Sequence, residues 1–223
     1  GFVCNDDQNL KNIIRKTKNK NFYTYGKDKK SNFQIVNIKQ TSNFSSFDIK
    51  INIPSKKKII KGIKLPMIGI HNIQNATAAI SLAFTIGLPE KCIKAGLHNF
   101  KGVQRRFSHL FDHNKISFYD DYAHHPTEIS SVLSGVEKVY KNKEIVCVFQ
   151  PHRVSRVISL KKEFSKCFKK ADTVLLCPIY KANEKLRLNF TYHSFAKLII
   201  KNSNVKLIQV DNLSLIHISE PTR

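Results

Sequence analysis

The spacing of apolar and polar positions changes character twice along the chain. From Gly1 to about Gly69 it predicts a strand, a helix and then antiparallel strands. Leu10, Ile13 and Ile14 set a helical period over Gln8–Lys18, whereas Phe22–Tyr25, Phe33–Lys39 and Phe44–Ile53 carry β-branched and aromatic residues in partial alternation. Pro54 and the run Lys56–Lys58 predict an exposed turn before a strand over Ile59–Leu65. Between Gly69 and Phe107, Ile73, Ala76, Ile80, Ala83 and Phe84 fall on one helical face, with His71 and Asn72 at its start and Gly87 just beyond its end. A short helix over Pro89–Asn99 then leads into the linker Lys101–Phe107.

From Ile116 onward strands and helices alternate. Strands are predicted over Ile116–Tyr119, Ile145–Phe149, Val174–Cys177 and Val205–Val210, and helices over Pro126–Tyr140, Val157–Lys170 and Tyr192–Lys201. Strand–helix–strand units with apolar strands predict a parallel sheet covered on both faces. The expected architecture is α/β, with a mixed sheet over residues 1–108 and a parallel sheet over 109–213. Residues 214–223 follow no such rhythm and read as an artefactual tail.

Composition narrows the class. The 223 residues are 41% hydrophobic with 15 Phe, enough to bury a core, and no apolar run approaches the ~20 residues of a membrane span. No basic-then-apolar leader opens the chain, and it begins on Gly1, as a fragment would. Five cysteines occur singly without a C-x-x-C pair, and Cys147 and Cys177 sit in apolar runs, which fits reduced cysteines of a cytoplasmic protein rather than a disulfide scaffold or a zinc site. The formal charge of +22 raises affinity for any polyanion, so a basic nucleic-acid-binding module is the alternative from another class. The lysines, however, are dispersed among Asn and Ile, with no basic stripe interleaved with aromatics, and no specific nucleic acid is expected.

In an open parallel sheet, ligands bind beyond the carboxyl ends of the strands. The polar residues there are Asp120-Asp121-Tyr122-Ala123-His124-His125-Pro126-Thr127-Glu128 after the first strand and Gln150-Pro151-His152-Arg153-Val154-Ser155-Arg156 after the second. Tyr180–Lys185 follow the third. Each of these residues has an ordinary use as well: Asp120 and Asp121 suit turns and caps, and Arg153 suits a surface ion pair. Paired carboxylates, three histidines and two arginines delivered to one edge from independent strands are not required by packing.

Four segments carry a family resemblance. Gly69-x-His71-Asn72-x-x-Asn75-Ala76, Gly102-Val103-x-Arg105-Arg106-Phe107, the Asp120–Glu128 run and Phe149-Gln150-Pro151-His152-Arg153 resemble the Mur ligase family, in the family's order, over about Gly1–Val210. The resemblance implies part of a central ATPase domain followed by a truncated Rossmann-like ligase domain. It also implies ATP-dependent amide-bond synthesis in peptidoglycan assembly, with ATP and Mg²⁺ as cofactors, an acyl phosphate as the activated species and domain closure to exclude water. Asn72 and Asn75 would contact adenine, Arg106 the phosphates, and Asp121 would pair with an arginine or hold the ribose. Tyr122, His124, His152, Arg153 and Arg156 would line an amino-acid pocket. Catalytic roles fall to His124, Arg106 and Asp121, with the choice between His124 and His152 as base left open.

Within the family, Gln150-Pro151-His152-Arg153 favours the branch that joins L-alanine to UDP-N-acetylmuramate over the murein-tripeptide branch, where Glu-Pro-Arg is expected. The family's Gly-Lys-Thr phosphate loop is absent, since Gly26-Lys27-Asp28 lacks its spacing and hydroxyls. The Mg²⁺ ligands are expected mainly in a preceding part, and the chain by itself is not expected to turn over.

Overall fold

The computed structural model describes residues 1–18, 21–184 and 191–210. The tail expected at 214–223 lies outside them. Two compact units divide between Gln104 and Arg105.

The first unit holds β1 (Phe2–Cys4), α1 (Gln8–Lys16), β2 (Tyr23–Gly26), β3 (Phe33–Gln40), β4 (Ser45–Ile53), β5 (Lys56–Leu65), α2 (Ile70–Thr85) and α3 (Glu90–His98). Its sheet runs in the order β1-β2-β3-β4-β5, parallel as far as β3 and antiparallel from β3 to β5. Strict alternation in β4 explains the core: Ser45, Phe47, Ile49, Ile51 and Ile53 point inward, and the residues between them outward. Phe33, Ile60, Ile63 and Leu65 of the flanking strands join them, and α2 lays Ile73, Ala76 and Ile80 on top.

The lysine run is not a turn. Lys56, Lys57 and Lys58 pair with Ile53, Asn52 and Ile51 as the start of β5, and only Pro54-Ser55 turns. β5 is the sheet's edge, where exposed lysines discourage pairing with another chain.

The second unit contains β6 (Ser108–His113), β7 (Ile116–Asp120), α4 (Pro126–Val139), β8 (Val146–Phe149), α5 (Val154–Ser159), α6 (Lys161–Phe164), β9 (Thr173–Leu176), α7 (Tyr192–Ser203) and β10 (Lys206–Gln209). β8, β9 and β10 form the expected parallel sheet, in the order β10-β9-β8. Its core face, Phe149, Val174 and Leu176, packs against Ile129 and Leu133 of α4, Val157 of α5, Phe164 of α6, and Phe195 and Ile199 of α7. Three expectations change here. β7 leaves the parallel sheet and pairs antiparallel with β6, a strand the spacing did not reveal because His109, Leu110, Phe111 and Asp112 do not alternate. The helix predicted over Val157–Lys170 begins at Val154 and breaks at Leu160, giving α5 and α6. Among the described residues nothing covers the second face of β8, where Val146 and Val148 are each 52% exposed.

Candidate active site

In the first unit the site residues sit at the start of α2. Gly69 has φ +94, and a Cβ there would lie 2.6 Å from the His71 ring, so the Gly-x-His spacing has a steric basis. Asn72 is buried and donates its Nδ2–H to the Ile68 carbonyl at 2.7 Å, fastening the chain that enters the helix. Asn75, one turn on, is exposed. Between them Gln74 donates to Asp6 Oδ2 at 2.7 Å. The Asp6 carboxylate also accepts the N–H groups of Lys27 at 2.9 Å and Asp28 at 3.0 Å. Gly26, at φ +145, leaves room for that carboxylate, 2.7 Å from where its Cβ would stand. Gly26–Asp28 therefore cradles an internal carboxylate rather than a phosphate. Asp6 and Gln74 were missed in the sequence because nothing local couples positions 68 residues apart.

In the second unit the loop after β7 is organised by its acids. Asp121 Oδ2 accepts the Phe107 N–H at 2.8 Å and Oδ1 the Ala123 N–H at 2.7 Å. The arginine partner expected for Asp121 belongs instead to Asp120, which holds Arg105 Nε at 3.1 Å. Arg105 also lies over the Tyr122 ring, 5.1 Å from its centroid. Arg106, beside it, is exposed. His125 caps α4, whose Pro126 stands in the first turn, and Glu128 accepts the N–H groups of His124 at 3.0 Å and His125 at 3.2 Å. Burial raises the Glu128 carboxyl, but those bonds and the charges of His124 and Arg106 outweigh it, and the net shift is downward.

His124 Nδ1 lies 2.9 Å from the Tyr122 carbonyl, which can only accept, so Nδ1 donates there and Nε2 is the nitrogen that can accept when the ring is unprotonated. The ring stands edge-on to Tyr122 at 5.0 Å.

The loop after β8 presents His152, Arg153 and Arg156. Arg153, at φ +67, is in a strained conformation just ahead of α5. Arg156 has its Nη1 shut from solvent with no hydrogen-bond partner among the described residues. Partial desolvation lowers the His152 pKa, and the charges of Arg156, Arg153 and His124 lower it further, against the pull of Glu184. His152 thus sits in a cationic neighbourhood made by Arg156, Arg153 and His124. Tyr180 and Glu184, after β9, contact the same segment. Their place in the loop was legible, but their partners were not.

This edge can hold a small carboxylate on guanidinium groups beside a neutral imidazole. Asn75 in the first unit is an exposed carboxamide, and Arg106 in the second an exposed guanidinium. Among the described residues no three His, Cys, Asp or Glu side chains gather into a metal-holding group, and none is assigned to Mg²⁺. Among the described residues no helix is long and apolar enough to cross a membrane.

Residues 1–83 match the Mur ligase middle domain and residues 105–211 the Mur ligase glutamate ligase domain. A UDP-N-acetylmuramate–L-alanine ligase of Pelagibacter ubique is 59% identical over 212 residues, covering 95% of this chain and 46% of the relative. One from Mesorhizobium japonicum is 38% identical, covering 82% and 40%. The crystal structure of UDP-N-acetylmuramate–alanine ligase from Thermotoga maritima superposes with a TM-score of 0.68 at 28% identity, over 89% of this chain and 41% of that one. A murein peptide ligase from Psychrobacter arcticus, at 21% identity and TM-score 0.63, covering 97% and 44%, shares the fold. The chain spans under half the length of these relatives. Its two matched domains, the motifs at Gly69–Asn75 and Asp120–Glu128, and the mixed and parallel sheets that display them place this chain in the Mur ligase family.

Proposed function

We propose that this chain is part of a cytoplasmic ligase that joins L-alanine to UDP-N-acetylmuramate in peptidoglycan synthesis. Residues 1–108 form the later half of its central ATP-binding domain, and 109–213 its ligase domain. The observation that carries this reading is the cationic edge of the second unit. There the charges of Arg156, Arg153 and His124 act on His152, and the Nη1 of Arg156 has no partner among the described residues, beyond the carboxyl end of β8 where parallel sheets bind ligands. It is also the reaction for which the Pelagibacter and Mesorhizobium relatives are named.

Asn75 presents its exposed carboxamide to adenine, whereas Asn72, expected to do the same, is buried and bonded to the Ile68 carbonyl and holds the helix start that carries Asn75; Arg106 offers its guanidinium to the phosphates. When bound, ATP supplies the phosphoryl group that makes the muramyl carboxylate an acyl phosphate. Arg153 and Arg156 receive the L-alanine carboxylate, which a planar guanidinium can bind through two parallel hydrogen bonds. Tyr122 closes the pocket with its ring. The substrate ammonium must lose a proton before it can attack, and a neutral imidazole in the pocket accepts it: Nε2 of His124 or the ring of His152. The free amine then attacks the acyl carbon, and the tetrahedral intermediate so formed breaks its C–O bond to phosphate, which leaves as inorganic phosphate carrying the second amine proton.

The test is a segment swap in which residues 1–210 of this chain replace the matching segment of the Pelagibacter ligase. Phosphate release should require ATP, UDP-N-acetylmuramate and free L-alanine together. Faster release with murein tripeptide than with L-alanine would sink this reading.

A further inference from the structure

The segment that carries His152, Arg153 and Arg156 is gripped by the loop that follows β9. Tyr180 donates its N–H to the Pro151 carbonyl at 2.8 Å, and Arg153 donates its N–H to the Tyr180 carbonyl at 2.9 Å. These bonds make an isolated parallel bridge between His152 and Tyr180. The two rings stack, with centroids 5.1 Å apart and planes 27° from parallel. Four residues on, Glu184 Oε2 accepts the Ser155 N–H at 2.7 Å and Oε1 the Ser155 hydroxyl at 2.8 Å. Ala182 at φ +49 and Asn183 at φ +66 turn the loop back so that Glu184 reaches the first turn of α5. Strained backbone thus stands on both sides of the contact, at Arg153 and at Ala182. It persists only where surrounding bonds hold it in place.

Core packing does not account for this grip, because Tyr180 is 54% exposed. The Ser155 bonds, Arg153 and the Val154 N–H keep the Glu184 carboxyl below its ordinary range, so it stays ionised beside the cations it positions.

We infer that Tyr180 and Glu184 are positioning residues for the amino-acid substrate: the ring of one and the carboxylate of the other fix residues 152–156 so that His152, Arg153 and Arg156 converge on its carboxylate. Their role depends on that segment being the amino-acid pocket proposed above. Neither residue touches the reacting atoms.

The experiment uses the segment-swapped ligase, with Glu184→Ala, Glu184→Gln and Tyr180→Ala, reading kcat and the KM values for L-alanine and ATP, with melting temperature as a check on folding. Glu184→Ala and Tyr180→Ala should each raise the KM for L-alanine tenfold or more while that for ATP stays within twofold. Glu184→Gln, which keeps one acceptor for Ser155, should recover most of the loss and remains informative if the alanine variants fold poorly. An unchanged KM for L-alanine, or an equal rise in both KM values, overturns the inference while leaving the proposed reaction standing. Failure of the unsubstituted swap to use L-alanine overturns that reaction and the inference with it.

Discussion

The carboxylate of Asp121 accepts the backbone N–H of Phe107 at 2.8 Å, and so ties the linker carrying Arg105 and Arg106 to the loop after β7. Its other oxygen holds the Ala123 N–H at 2.7 Å, and the Phe107 ring stacks on Tyr119 with centroids 4.3 Å apart. One side chain thus sets both the direction of Arg106 and the start of the Tyr122–His124 segment. Asp121→Ala strands two amide donors, each bond to a charged group being worth about 1.5–3 kcal/mol. It should lower unfolding free energy by about 2 kcal/mol in urea titrations, and raise the KM for ATP of the swapped ligase. Asp121→Asn should recover part of the stability, through the single acceptor it retains.

At Gly69 a side chain is excluded twice over, by φ +94 and by the His71 ring 2.6 Å from the added carbon. Gly69→Ala should destabilise the first unit by about 2 kcal/mol or more, a left-handed backbone alone costing roughly 1–2 kcal/mol. The urea midpoint measures it, and Gly87→Ala, also at positive φ but with open space around the added carbon, serves as the comparison that separates clash from strain.

Arg156 is held ready at a cost. Its Nη1 is sealed from water without a partner among the described residues. Replacing it by Met removes that penalty while keeping the packing of the stem, so Arg156→Met should melt at the same temperature as the unsubstituted chain or higher. The same change should raise the KM for L-alanine ten- to a hundredfold, the equivalent of about 1.5–3 kcal/mol for a hydrogen-bonded charge. A parallel loss of stability and affinity would show that Arg156 is structural.

Desolvation and the charges of Arg156, Arg153 and His124 lower the His152 pKa below its ordinary 6.5. A histidine that binds its proton more weakly folded than unfolded contributes stability that is complete above its unfolded pKa and is lost as pH falls through the folded one. Acidification from pH 7 towards 5 should therefore weaken the second unit, and NMR titration should place the His152 midpoint below 6.5. Arg156→Met should move that midpoint upward by removing a positive neighbour, and Glu184→Gln downward by removing the opposing charge.

Short-range pattern carried far in this chain. Alternation in Ser45–Ile53 marked β4 because one face of that strand is core and the other is water. The apolar period of Ile73, Ala76 and Ile80 marked α2 for the same reason. The loops after β8 and β9 were expected at one edge because a parallel sheet sends its strand ends there, and the bridge between His152 and Tyr180 joins them; the loop after β7 follows an antiparallel pair that the pattern did not show. The pattern misled where the reason for a residue lay elsewhere in the fold. Lysines 56–58 looked like a loop because an edge strand exposes what a central strand buries. The break at Leu160 carries no glycine or proline to announce it.

By itself the sequence determined the α/β class, the order of mixed and parallel sheets, and which residue types gather at the strand ends. These follow from the period of burial and from chain connectivity, both local properties. Tertiary structure alone decided which carboxylate holds the linker, that Asp6 fills the Gly26–Asp28 loop, and that Tyr180 and Glu184 brace the arginines. Each of those is a hydrogen bond or ring contact between residues distant in the chain. Such bonds form only when two surfaces have already been brought together, and no spacing along the chain encodes them.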